Sequence, residues 1–287
     1  MTRAFLVTLF LEAALVICWS SGFIGAKLAS ETPAVFVLLF WRFLFTTIGL
    51  SPYIWMAFKS GLTVSSFAIQ LLVGLLAMGL FLAFGVKAID LGVPAGTSAL
   101  ISTLQPLATV AAASVILKED ISYKQWLGLI IGLIGVSVAV GGSSGTAPIV
   151  AFALAFIGVL AIVVATIISK KVATPLPLLP TLGVQSLAAT ALFLPLAIHE
   201  GTLVPTITYD FIFAIVWFIL LSTLGAYGFF WLCLRRSSTA RVSSLIYLTP
   251  PVTAIWAWLM FSEPITAFIL VGFAICFVGV ILAAKSD

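Results

Sequence analysis

Two ionisable side chains, Glu12 and Arg42, stand inside long apolar runs. Such a placement in a membrane span costs about 2.5–3.5 kcal/mol on insertion scales, so a functional role is the first reading. Glu12 has the chemistry to take up and release a proton and is the candidate for ion coupling. The competing reading, for Arg42 as well, is structural. Trp19, Phe23 and Lys27 recur every four residues and share one helical face. An aromatic pair below a cation suits a zwitterion whose carboxylate meets Lys27; packing on lipid, with Lys27 marking the interface, is the alternative. Ser98, Ser102, Gln105 and Thr109 form a polar stripe at i, i+4, i+7 and i+11. Pro106 frees the carbonyl of Ser102 in the middle of that stripe, and freed groups are tolerated where they line water or protein. Ser243, Ser244, Tyr247, Thr249, Pro250 and Pro251 repeat the arrangement later in the chain. A substrate site and interhelical hydrogen bonding both fit these two stripes. Bulky groups that could face a solute are Met78, Phe156 and Tyr227.

Other chemistry is poorly served. His199 is the sole imidazole and borders a loop, so no nucleophile–base pair is available. Asp90 and Asp210 fall at helix ends, which removes a paired-aspartate intramembrane protease. Cys18, Cys233 and Cys276 lack metal-ligand spacing and read as small buried hydrophobes. No enzyme activity, cofactor or metal is expected.

The elements that position these residues follow from composition. Hydrophobic residues make up 63% of 287 and charged residues only 8%, against about 25% charged in soluble domains. Runs of about 20 apolar residues, enough to span a bilayer, are placed at 5–28, 34–58, 67–89, 93–117 and 125–141, then 148–170, 178–198, 209–231, 242–261 and 265–284. The second set repeats the first at an offset of 144: Pro106 and Pro250, Glu119 and Glu263, Gly128 and Gly272, Gly135 and Gly279. Five spans per unit is an odd number, so the second unit crosses the membrane in the opposite sense. The expected fold is an all-α membrane protein of ten transmembrane helices, two inverted five-helix repeats (1–143 and 144–287) around a central cavity.

With the N-terminus inside, ten Lys and Arg fall in one set of connecting segments and only Lys27 and Lys87 in the other. The positive-inside rule then puts both termini in the cytoplasm and accounts for the net charge of +4 without nucleic acid.

The chain resembles the drug/metabolite transporter superfamily, in particular its ten-helix EamA-type members. The matching residues are Trp19-Ser20-Ser21 with Phe23 and Lys27, Trp41-Arg42-Phe43, Leu104-Gln105-Pro106, and Glu119, Gly128 and Gly135 with their echoes Pro250, Glu263, Gly272 and Gly279. Within it the chain looks most like YddG-type bacterial exporters of aromatic amino acids. That resemblance implies a basket-like bundle in the inner membrane with a cavity lined by spans 1, 3, 4, 6, 8 and 9. It departs at Val163, which stands where the repeat would echo Trp19. It departs again at Trp19 itself, which occupies the place of the proton-binding Glu of four-helix multidrug relatives.

The expected activity is export of aromatic or hydrophobic amino acids and related metabolites by alternating access, secondary-active or facilitative. The second reading is proton-coupled export of hydrophobic drugs or cations. Substrate-lining candidates are Trp19, Phe23, Met78, Ser98, Ser102, Phe156, Tyr227, Ser244 and Tyr247. Structural or gating candidates are Lys27, Arg42, Pro106, Glu119, Pro250 and Glu263, with Glu12 for coupling. The expected partners are a small-molecule substrate and the lipid bilayer; a monomer is compatible with the sequence.

Overall fold

In lipid every backbone polar group must be satisfied within its own segment, so long apolar runs become helices. The computed structural model describes residues 3–29, 34–91, 93, 101–140, 148–172, 176–201, 203–205, 207–262 and 267–284, and every regular element among them is helical. In the first half these are α1 (Arg3–Ala29), α2 (Val35–Lys59), α3 (Val64–Gly74, Leu75–Leu80 and Phe81–Asp90), α4 (Leu104–Ile116) and α5 (Tyr123–Val140). In the second they are α6 (Ile149–Val172), α7 (Leu178–His199), α8 (Tyr209–Trp217, Phe218–Tyr227 and Gly228–Arg236), α9 (Thr239–Leu245, Ile246–Leu248 and Thr249–Phe261) and α10 (Ala267–Ala284). Among the described residues 6 helices are long and apolar enough to cross a membrane: Val35–Lys59, Val64–Ala88, Ile149–Val172, Leu178–His199, Tyr209–Arg236 and Thr239–Met260. Leu6–Gly22, Leu104–Ile116, Tyr123–Val138 and Leu270–Ala283 are shorter apolar stretches.

Local chemistry explains how these helices begin, bend and end. Thr63 and Thr208 cap α3 and α8, each accepting the backbone N–H three residues on. Pro52 within α2 cannot donate to the carbonyl of Ile48, and the Ser51 hydroxyl donates to that oxygen instead, at 2.8 Å. Beyond α4 and α9, Lys118 and Ser262 take left-handed backbone conformations, with φ of 56° and 54°. These two positions are 144 apart, so an unusual conformation for non-glycine residues is kept at the same place in both halves.

The sequence reading places helices at α3 and α8, and the structure adds their internal form. Leu75–Leu80 and Phe218–Tyr227 are π-helical, with the hydrogen-bond ladder widened to i→i+5. Adding 144 to the first segment lands inside the second, so this distortion also occurs twice.

Helix pairing obeys the same exchange of halves. α2 packs on α7, α5 on α10 and α4 on α9, each pair joining equivalent helices. Two further contacts come in twins: α1 with α8 answers α6 with α3, and α1 with α9 answers α6 with α4. At the α5–α10 seam the symmetry reaches single atoms. A Cβ on Gly279 would lie 2.6 Å from the Gly128 oxygen and 2.7 Å from the Gly132 nitrogen. A Cβ on Gly135 would lie 2.9 Å from the Gly272 oxygen and 2.7 Å from the Cys276 nitrogen, which are the equivalent atoms 144 residues on. Only glycine permits this approach of two backbones.

Candidate functional site

The two π-helical segments meet through Tyr227 and Ala77, and two of the sequence's aromatic candidates, Trp19 and Tyr227, lie beside them. Trp19 on α1 lies 5.5 Å (ring centroid to centroid) from Tyr227 and 5.2 Å from Phe230 on α8. Tyr227 donates its hydroxyl to the carbonyl of Ala77, at 2.7 Å, beside the wholly buried Met78 on α3. Widening the ladder turns the following residues to a new face, a distortion frequent at functional sites. Here the Ala77 oxygen accepts from a side chain of the other half. Phe230 contacts Trp231 at 4.9 Å. Trp231 donates to Gln185 Oε1 at 2.9 Å, and Gln185 Nε2 donates to Gln70 Oε1 at 2.8 Å. Both glutamines are buried, so each amide dipole is matched by another rather than by water. The result is an apolar aromatic cluster, backed by a polar chain, built from α1, α3, α7 and α8.

Arg42 is 1% exposed, on α2. Its Nε donates to Thr223 Oγ1 at 2.8 Å and its Nη2 to Ser222 Oγ at 2.9 Å. The guanidinium also lies 4.7 Å from the ring centroids of both Phe43 and Phe218. Two desolvated cation–π contacts, each worth up to about 2 kcal/mol, offset part of the cost of burying the charge.

The turn joining α8 to α9 is held from three sides. Arg241 and Glu12 form a two-point pair, Nε to Oε1 at 2.6 Å and Nη2 to Oε2 at 3.2 Å. Glu119 accepts from the Thr239 hydroxyl at 2.7 Å and from its backbone N–H at 3.3 Å, placing a negative charge at the N-terminus of α9. Lys170 donates to the carbonyls of Leu234 and Ser237, each at 2.8 Å. At the opposite end Glu200 accepts from the backbone N–H groups of Phe36 and Val37 at the start of α2. There a cavity of about 310 Å³ is lined by Val35, Phe36, Val86, Lys87, Leu196, His199 and Glu200.

Trp19, Met78 and Tyr227 are thus in one cluster, and the other candidates are dispersed. Tyr247 is buried elsewhere, with Val110, Leu129, Val136, Ala240 and Cys276, and its hydroxyl has no partner among the described residues. Ser244 donates to the Arg241 carbonyl one turn back. Ser102 is half-buried just before α4, where Pro106 is the third residue; Pro250 follows a tight 3₁₀ turn in α9. Phe156 stands apart from the aromatic cluster: it is 45% exposed and belongs to an outer stripe with Ile157, Leu160 and Val164. In an apolar helix one face must meet lipid, and apolar type alone does not tell that face from an inner one. Ser98 and Glu263 lie outside the described residues, as do the side chains of Phe23 and Lys27.

Sequence reasoning missed Phe230, Gln70, Gln185, Ser222 and Thr223, together with the pairing of Arg241 and Glu12. The two buried glutamines carried a usable signal, since an amide inside an apolar run needs a partner.

The EamA-like transporter family's sequence profile matches residues 6–141 and again 149–285. A probable amino-acid metabolite efflux pump of Salmonella typhimurium is 26% identical, over 94% of this chain and 92% of its own length. An uncharacterized transporter of Archaeoglobus fulgidus is 27% identical over 98% of both chains. An S-adenosylmethionine uptake transporter of Rickettsia prowazekii is 32% identical over 41% of this chain and 38% of its own. A protein of known crystal structure superposes with a TM-score of 0.80 at 18% identity, over 99% of this chain and 98% of its own, a likeness of fold alone. Two profile matches that between them span nearly all of an apolar, helical, internally repeated chain make it a multi-pass membrane protein belonging to the EamA-like transporter family.

Proposed function

We propose that this transporter exports aromatic or hydrophobic amino acids and related small metabolites by alternating access, secondary-active or facilitative. In this reading the four shorter apolar helices complete ten crossings, five in each of two inverted halves, 1–143 and 144–287. The protein lies in a bacterial inner membrane with both termini cytoplasmic. The observation that carries the reading is the cluster of Trp19, Tyr227 and Phe230 against Ala77 and Met78, drawn from both halves at their junction. Aromatic faces stack on an aromatic side chain for about 0.5–1.5 kcal/mol per pair beyond area burial. The Salmonella relative's name, over 94% of this chain, supports the substrate class and direction.

Glu12 is already matched by Arg241 at two points. That pair offers a cationic drug no net negative charge, which favours amino acids over proton-coupled export of hydrophobic cations.

Flux of labelled phenylalanine, tryptophan and threonine into proteoliposomes, with and without a pH gradient, tests the reading. Trp19→Ala should lower phenylalanine and tryptophan flux several-fold more than threonine flux. Equal losses for all three would assign Trp19 to packing, and no flux of any amino acid would end the proposal.

A further inference from the structure

Two arginines in this chain present the same edge of the guanidinium, and among the described residues only one of them meets a carboxylate. Arg241 directs Nε and Nη2 at the two oxygens of Glu12, at 2.6 and 3.2 Å. Arg42 directs Nε and Nη2 at two oxygens as well, at 2.8 and 2.9 Å, but these are the hydroxyls of Thr223 and Ser222. Among the described residues no carboxylate pairs with Arg42. An arginine keeps its charge in any protein environment, so a full positive charge sits 1% exposed with neutral oxygens where a carboxylate's would be. Burial of an unpaired charge is costly and calls for a counter-charge.

We propose that Arg42 is a carboxylate subsite, and that Ser222 and Thr223 hold the positions of the carboxylate oxygens until a solute arrives. The edge formed by Nε and Nη2 matches a planar carboxylate at two points. The hydroxyls come from adjacent residues of the π-helical part of α8, a distortion frequent at functional sites. Phe43 and Phe218 flank the guanidinium, so the rest of the solute meets apolar ring surface. A line of rings also joins the subsite to the 310 Å³ cavity. Phe36 in the cavity wall stacks on Phe193 at 6.1 Å, and Phe193 stacks on Phe43 at 5.8 Å with the planes 3° apart. The class of ligand is a small monocarboxylate with an apolar or aromatic body. This inference rests on the amino-acid reading for its solute, while the subsite itself requires only a carboxylate.

The full-length protein in proteoliposomes tests it, with labelled phenylalanine competed by unlabelled phenylalanine and by phenylalaninamide, which lacks the carboxylate. The native chain should prefer the acid by about tenfold or more, the worth of a charge-assisted two-point contact. In Arg42→Gln that preference should fall to near one. In Arg42→Lys it should be partly kept, because lysine supplies the charge without the fork. Thr223→Val removes one competing acceptor and should raise it. A preference that survives Arg42→Gln overturns the subsite and leaves the transport reading standing. Should the native chain carry no amino acid, benzoate and benzamide are compared by thermal shift in detergent. Benzoate alone should then stabilise the native chain and fail to stabilise Arg42→Gln; equal shifts in both proteins, or none, overturn the subsite. Should Arg42→Gln not fold, the same comparisons on Arg42→Lys and Thr223→Val decide, and an unchanged ratio or shift in both sinks the proposal.

Discussion

At the scale of the residue, the chemistry turns on how buried charges find partners. Glu12 and Arg241 are 229 positions apart, and their side chains keep 9% and 23% exposure. Removing one member of a buried pair leaves the other uncompensated, at about 3–5 kcal/mol when the burial is complete; the exposure of Arg241 puts this pair below that range. Glu12→Gln and Arg241→Met should therefore each destabilise the protein, and the double variant should lose less than the sum of the two single losses. A coupling of about 1 kcal/mol or more is expected in a double-mutant cycle of unfolding in detergent. Additive effects would mean that the pair is a surface contact with no role in holding the α8–α9 turn. Both charges inside apolar runs were legible in the sequence. Their partners were not, because Arg241, Ser222 and Thr223 lie in the other half, and apolar patterning carries no information on which polar residues meet across it.

At the scale of the element, helices were legible because lipid leaves an apolar run no other way to satisfy its backbone. The π-helical segments were not. Their residues are ordinary, and the one-residue widening of the ladder shows only in the coordinates. The left-handed ends at Lys118 and Ser262 yield a prediction. A β-carbon in that conformation costs roughly 1–2 kcal/mol, and glycine avoids the penalty at some loss of backbone entropy in folding. Lys118→Gly and Ser262→Gly should each raise stability by about 1 kcal/mol, seen as a melting midpoint about 2 °C higher. Alanine at either position should give no gain. If alanine and glycine behaved alike, the gain would come from removing the side chain rather than from the backbone.

At the scale of the whole molecule, the repeat was legible from a single offset of 144, which let one half stand as a guide to the other. The offset did not say which helices meet. That the pairing of α1 with α8 answers α6 with α3 is a property of the packed bundle. The bundle is fastened where α8 turns into α9 and indented at the Glu200 end; under the alternating access proposed above, this is one state of the cycle. Joining Glu12→Cys to Arg241→Cys with a short thiol reagent, in a chain whose three native cysteines are replaced, should lower amino-acid flux at least tenfold. Reductant should restore it. Full flux in the joined protein would show that α1 and α9 need not part during transport.

The glycine seam between α5 and α10 carries a further consequence. The approach at Gly279 is the image of the approach at Gly135 under exchange of the two halves, so that tolerance is written twice, once in each helix. A methyl group added at Gly135 and one added at Gly279 meet the same obstacle. Neither of these two positions can gain a side chain without pressing on the backbone of the twin helix.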